Sequence, residues 1–105
     1  MKNIIIMGST GSIGTQAIDV IDAHRDKFCL AAVAAYSNWQ LAARQIRDYK
    51  IPLACMIDPG ASAKLQQTVG PECTVFTGSE GLLQLIDEAD AHMLLTSLVG
   101  AAGIE

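Results

Sequence analysis

Residues 8–14 read GSTGSIG, three glycines at intervals of three with hydroxyl side chains between them. Those residue types suit the holding of an anion rather than acid–base or nucleophilic work. Gly8 closes a β-branched apolar run, and Gly11-Ser12 opens a segment with helical spacing. A turn that tight commonly needs φ > 0, which glycine reaches without steric cost. Bare backbone there lets a pyrophosphate approach the N–H groups at a helix N-terminus, where the dipole favours negative charge. Gly14 would let the helix lie close against the strand, and Ser9, Thr10 and Ser12 offer hydroxyl donors to phosphate oxygens. The spacing is GxxGxxG, not the GxGxxG dinucleotide fingerprint, and the GK[ST] ending of a P-loop is absent. Its place within a strand–helix–strand unit is what points to a dinucleotide.

The exit of the second strand bears on which dinucleotide. Folds that bind NAD place Asp or Glu there to accept from the ribose 2′-OH. This chain has Tyr36-Ser37-Asn38 and no acid. A 2′-phosphate would meet no carboxylate there, and would sit beside a hydroxyl at Ser37 and a helix start capped by Asn38, which favours NADPH. Asn38 would cap that helix in any case, and the two roles can coexist.

No other group assembles into a reaction centre. Asp87, Glu88 and Asp90 crowd a helix end as a solvated charge run. Asp58 lies in an Asp-Pro-Gly turn, where an Asx turn is its expected role. His24 and His92 are remote from each other and lack metal-ligand spacing. Arg44 and Arg47 are expected as surface charges, and Trp39 and Tyr49 as packing groups. The expectation is no catalytic residue and no metal ligand in this chain.

The elements that must position the loop follow from apolar patterning. Short β-branched or apolar runs at residues 3–7, 28–35, 53–57, 74–76 and 92–97 read as strands. Between them lie a helix from Ser12 with apolar residues Ile13, Ala17, Val20, Ile21 and Ala23, and another after Asn38 through Leu41, Ala42 and Ile46. A third spans residues 61–69, and a fourth begins at Ser79-Glu80 and runs through Leu82, Leu83, Leu85 and Ile86. Strict alternation of strand and helix predicts an α/β fold, a parallel sheet with helices on both faces. Gly100-Ala101-Ala102-Gly103 reads as another strand-to-helix turn just before the end. The expectation is one incomplete domain over residues 1–105, truncated at the C-terminus, with apolar surface left to self-associate.

Composition narrows the class. In 105 residues, 50% are hydrophobic and only 17% charged, which excludes a disordered tail. No apolar stretch reaches the roughly 18 residues of a spanning helix, so no membrane partner is expected. The formal charge is −4, and Lys and Arg are scattered, against a nucleic-acid surface. Cys29, Cys55 and Cys73 are odd in number and far apart, and are read as reduced, buried thiols of a bacterial cytoplasmic protein.

The string GSTGSIGTQAIDVI at residues 8–21 resembles the opening of the 1-deoxy-D-xylulose 5-phosphate reductoisomerase family. So do SN after the second strand, ASAKL at residues 61–65 and VGAAG at residues 99–103. The likeness runs in order through the whole chain. It implies a Rossmann-like NADPH-binding domain of an oxidoreductase in non-mevalonate isoprenoid synthesis. That enzyme rearranges 1-deoxy-D-xylulose 5-phosphate and reduces the product to 2-C-methyl-D-erythritol 4-phosphate, with Mg²⁺ or Mn²⁺, as a homodimer inhibited by fosmidomycin. By resemblance, Thr10, Gly11, Ser12 and Ile13 hold the cofactor phosphates and Ser37 and Asn38 the adenosine 2′-phosphate side, while Gly8 and Gly14 shape the turn. Residues 99–103 would lie near the redox end of the cofactor. The chain departs from the family at Tyr36-Ser37, where members commonly have Gly followed by a basic residue or Ser. The family's Asn-Lys-Glu segment, acidic metal ligands and substrate-phosphate site have no counterpart here, so the chain alone is expected to be catalytically silent. A free-standing nucleotide-binding module and another Rossmann-type NADP dehydrogenase remain the alternatives.

Overall fold

The computed structural model describes residues 2–90 and 93–96, apart from the side chains of residues 12, 13 and 93–96. Strands β1 (Lys2–Met7), β2 (Phe28–Ala35), β3 (Leu53–Met56), β4 (Thr74–Thr77) and β5 (Met93–Thr96) alternate with helices α1 (Ser12–Ala23), α2 (Trp39–Tyr49), α3 (Pro59–Val69) and α4 (Gly78–Ala89). The strands form one parallel sheet in the order β4-β3-β2-β1-β5. The expected α/β architecture, Rossmann-like with helices on both faces, is the one observed.

The run of isoleucines in β1 is explained by its place. Ile4, Ile5 and Ile6 are all buried, because a strand inside a parallel sheet has helices above and below it. Ile4 and Ile6 face a core shared with Ile18 and Ile21 of α1, Ala42 and Ile46 of α2, and Leu65 of α3. Ile5 faces the opposite core, with Ala32 and Ala34 of β2, Cys55 of β3, and Leu85 of α4. Three helices therefore cover one face and α4 crosses the other, touching β4, β3, β2 and β1 in turn. The connectivity dictates this division. The chain steps outward from β1 to β4 along one face and must return to the far side of β1 along the other.

The β1–β2 register shifts between Ile4 and Ile5, so that Ile4 pairs with Leu30 and Ile5 with Ala32. Ala31 is the extra residue of a bulge, and Ala31 and Ala32 both face the α4 core.

Several boundaries and faces differ from the sequence reading. The third helix begins at Pro59, not residue 61, because the Asp58 side chain accepts from Ala61 N–H at 2.9 Å and Pro suits a first helical position. Asp58 is thus a helix cap rather than the Asx turn expected of it. The fourth strand extends to Thr77, and the fourth helix starts at Gly78. On α1 the interior face is Gly14, Ile18 and Ile21, the i, i+4, i+7 line; Val20 is 59% exposed, and Ala23 is also outside. Leu83 lies on the outer face of α4. Cys55 and Cys73 are buried as expected, whereas Cys29, near the start of β2, is exposed. His92 and the turn at residues 99–103 lie outside the described residues.

Candidate cofactor-binding site

The glycine loop sits at the carboxyl end of β1, flanked by β2 and β5. This is where successive strands reverse direction across the sheet, the position at which open α/β sheets bind ligands. Gly8 has φ +81°, so glycine is needed there for the left-handed turn. Its N–H and that of Ser9 both donate to the carbonyl of Ala34, at 2.7 and 3.0 Å. Gly11 N–H donates back to Gly8 O at 3.1 Å, closing the loop on itself.

Gly14 serves packing rather than conformation. A Cβ there would lie 2.2 Å from Gly8 O and 2.8 Å from Ser9 Cα, both backbone atoms that cannot move aside cheaply. Gly11 differs. Its φ is −78°, and an added Cβ would make only an ordinary 3.5 Å contact with Gly8 O. The fold itself does not require glycine at 11, although the residue is exposed where a ligand would approach.

The first bond into α1 is from Thr15 N–H to Gly11 O at 2.9 Å. The amides of Ser12, Ile13 and Gly14 therefore precede any intrahelical acceptor. Gly11 supplies no side-chain cap, and the first turn carries no acidic residue. By contrast, α2 is capped by Asn38 Oδ1 on Leu41 N–H at 3.3 Å, and α3 by Asp58. The helix start that faces the switch point is thus open to an external anion.

Ser9 does not do what its hydroxyl suggested. It is fully buried, and its Oγ has no hydrogen-bond partner, so it cannot reach a phosphate outside the loop. Thr10 is partly exposed and Gly11 exposed, which leaves these two as the outward residues of the turn. The side chains of Ser12 and Ile13 lie outside the description, so only their backbone is placed.

The β2 exit stands close by in the chain. Ala34, which holds two loop amides, precedes Tyr36 by only two residues. Tyr36, Ser37 and Asn38 are all exposed, and the Tyr36 carbonyl accepts from Asp58 N–H at 2.9 Å. Asn38 spends its Oδ1 on the cap, and its Nδ2 takes no part in that bond. No carboxylate stands in this stretch.

Sequence reasoning passed over Gln45. It lies on the interior face of α2, is 5% exposed, and donates through Nε2 to Ser9 O at 2.8 Å. Its signal was a carboxamide among Ala42, Ala43 and Ile46, on a face that otherwise holds apolar residues.

The remaining expectations fall outside the site. Asp87, Glu88 and Asp90 are exposed, and His24 is an exposed residue whose Nδ1 lies 2.9 Å from Val20 O. Arg44 is exposed, while Arg47 donates to Thr68 O at 2.9 Å and so ties α2 to α3. Trp39 and Tyr49 pack against the three-helix core. Among the described residues, no group of three or more His, Cys, Asp or Glu side chains could hold a metal. No helix among them is long and apolar enough to cross a membrane. A cleft of about 420 Å³ lined by Ile21, Arg25, Phe28, Tyr49 and Lys50 lies at the beginning of β2, the end of the sheet opposite the glycine loop. Its position is the wrong one for a ligand of this fold.

Comparison with known proteins adds a family to this geometry. The profile of the 1-deoxy-D-xylulose 5-phosphate reductoisomerase family matches residues 4–105. The enzyme of that name from Geotalea uraniireducens is 38% identical over 105 residues, and that from Thermoanaerobacter sp. strain X514 is 36% identical over 104. Each match covers 99% of this chain and 27% of the relative, so the chain spans about a quarter of the length of these relatives. A crystal structure of DOX-P reductoisomerase in complex with NADPH, fosmidomycin and magnesium superposes over 97% of this chain and 26% of its own. Its TM-score is 0.86 at 25% identity. A magnesium complex of DOX-P reductoisomerase covers 85% of the chain with TM-score 0.77 at 27% identity. With the sheet, the switch-point loop and a whole-length sequence match in agreement, this chain belongs to the 1-deoxy-D-xylulose 5-phosphate reductoisomerase family.

Proposed function

We propose that this chain is the NADPH-binding portion, over residues 1–105, of a 1-deoxy-D-xylulose 5-phosphate reductoisomerase. The observation that carries the proposal is the start of α1, which stands at the switch point with three first-turn amides, no side-chain cap and no acid. Backbone N–H groups of Ser12 and Ile13, with Thr10 and the bare backbone of Gly11, would hold the pyrophosphate. Gly8 and Gly14 keep the turn tight enough to aim them. Ser37 and the Asn38 amide would take the 2′-phosphate, and the absence of a carboxylate there favours NADPH over NADH.

NADPH, when bound, supplies the reducing equivalents for converting 1-deoxy-D-xylulose 5-phosphate into 2-C-methyl-D-erythritol 4-phosphate. The described residues bind and orient; among them no acid–base pair or metal cluster stands beside the loop. Substrate, Mg²⁺ or Mn²⁺, and the homodimer contact are assigned to the remainder of the enzyme. The chain by itself is proposed to be inactive and, in its native setting, cytoplasmic.

The test is calorimetric titration with NADPH and NADH, using two glycine variants as internal controls. Gly11→Val should fold normally, since its Cβ has room, yet lose NADPH binding by at least tenfold because a side chain blocks the approach. Gly14→Ala should instead lose about 3 kcal/mol of stability through overpacking against Gly8 and Ser9. Equal NADPH affinity in wild type and Gly11→Val would sink the assignment of the loop.

A further inference from the structure

We infer that Gln45 is a positioning residue for the cofactor loop, acting from α2 through the Ser9 carbonyl. The inference rests on the reading of residues 8–14 as the phosphate-binding turn, and names a residue outside the turn that sets its aim.

Ser9 is the anchored corner of the loop. Its N–H is held by Ala34 O of β2, and its carbonyl by Gln45 Nε2 of α2, both within the interior. The residues that follow, Thr10 and Gly11, turn outward, and α1 starts immediately after them. Whatever fixes the Ser9 peptide therefore fixes the direction in which the next amides point. A backbone bond to β2 holds the Gly8–Ser9 peptide, and the carboxamide of Gln45 holds the Ser9–Thr10 peptide that follows it.

The composition of this contact argues that it is kept for function. Gln45 buries an amide whose Oε1 has no partner, and Ser9 buries a hydroxyl whose Oγ has none. Unpaired polar atoms in the interior cost stability, whereas leucine at 45 would fill a similar volume without that cost. Yet among the described residues the one bond that the carboxamide makes goes to the loop. Gln45 also shares α2 with Asn38 at its cap. One helix thus reaches both the turn proposed to hold the pyrophosphate and the exit proposed to hold the 2′-phosphate, and sets the distance between them.

The experiment compares wild type with Gln45→Leu and, as a second, less bulky-branched variant, Gln45→Met, in the full chain. Thermal melting, NADPH titration and competition by adenosine 2′-monophosphate are measured for each. At least one of the two variants should melt at or above the wild-type temperature and bind NADPH tenfold or more weakly. Adenosine 2′-monophosphate, which lacks a pyrophosphate, should bind within twofold of wild type. A merely structural glutamine would lower melting and all ligand binding together, and that outcome overturns the proposal. So does unchanged NADPH affinity in a folded variant. If wild type itself fails to bind NADPH, the cofactor reading falls separately. Gln45 is then judged by hydrogen exchange at the Ser9 and Gly11 amides, which should quicken at least tenfold in the variants; unchanged exchange overturns its role.

Discussion

At Cys55 and Cys73, burial pushes the thiol pKa up from the ordinary 9.0 to about 11. Both side chains lie in the interior, where a thiolate would lose its hydration. Folding therefore favours the neutral thiol over the ionised one. The resulting stability is complete below pH 9, where the unfolded chain also keeps its protons, and is lost as pH rises through 11. The loss should reach about 2–3 kcal/mol for each thiol. Urea midpoints should hold steady from pH 7 to 8.5 and then fall, and the fall should shrink in a Cys55→Ala, Cys73→Ala double variant. A disulfide-exchange reagent at neutral pH should modify exposed Cys29 promptly and the other two only on unfolding. At this scale, residue type was a good guide where geometry forces it. Gly8 was legible because few residues accept a left-handed turn, and Gly14 because close packing excludes a Cβ. Ser9 was misread because a hydroxyl announces donor capacity but not direction, and Cys29 because strand membership does not ensure cover at the strand's start.

At the scale of elements, α2 and α3 begin with their own side-chain cap, while α1 and α4 begin without one. The caps can be separated from any binding role. Asp58→Ala should cost about 1 kcal/mol of stability with no change in NADPH affinity, since the Asp58 side chain caps α3 and its backbone bond to Tyr36 survives the substitution. Asn38→Asp keeps a capping oxygen but adds a negative charge, so melting should stay within a few degrees. NADPH affinity should drop at least tenfold while NADH affinity holds or improves, as titration of both cofactors would reveal. If both cofactors weaken equally, the 2′-phosphate is not read at this position. The strand–helix alternation was visible because each element carries its own period. The start of α3 was not, because Asp-Pro-Gly is good turn chemistry as well as a good cap followed by a first-turn proline. The interior face of α1 was also misdrawn: a stripe including Val20 fits an apolar count, but the approach at Gly14 rotates the helix toward Ile18 and Ile21.

Across the described residues the layers are uneven, three helices against one, and the sheet has a protected middle. β1 and β2 contribute Ile4, Ile5, Ile6, Ala32 and Val33 to the interior, whereas the four residues of β4 are all partly or fully exposed. Amides of β1 and β2 should therefore exchange only through global unfolding, while those of β4 exchange through smaller openings and at lower denaturant dependence. Native-state hydrogen exchange would measure this order, and equal protection in β2 and β4 would contradict it. Neither the strand order nor the three-to-one division could be read from sequence, because both depend on which strands pair rather than on what each strand contains.

The bulge at Ala31 has a consequence for how such a chain can change over generations. Before it, Phe28 and Leu30 point to the three-helix side; after it, Val33 and Ala35 do. Even positions hand the task to odd ones. Losing Ala31 would remove the bulge and restore simple alternation with Phe28, Leu30, Val33 and Ala35 all keeping their present face, whereas gaining a residue would turn one half of β2 inside out and carry either the core or the Tyr36–Asn38 exit to the wrong side. A one-residue deletion at Ala31 should then be tolerated among relatives, while one-residue insertions should be absent between Cys29 and Tyr36 and gather instead in the exposed connection at residues 24–27.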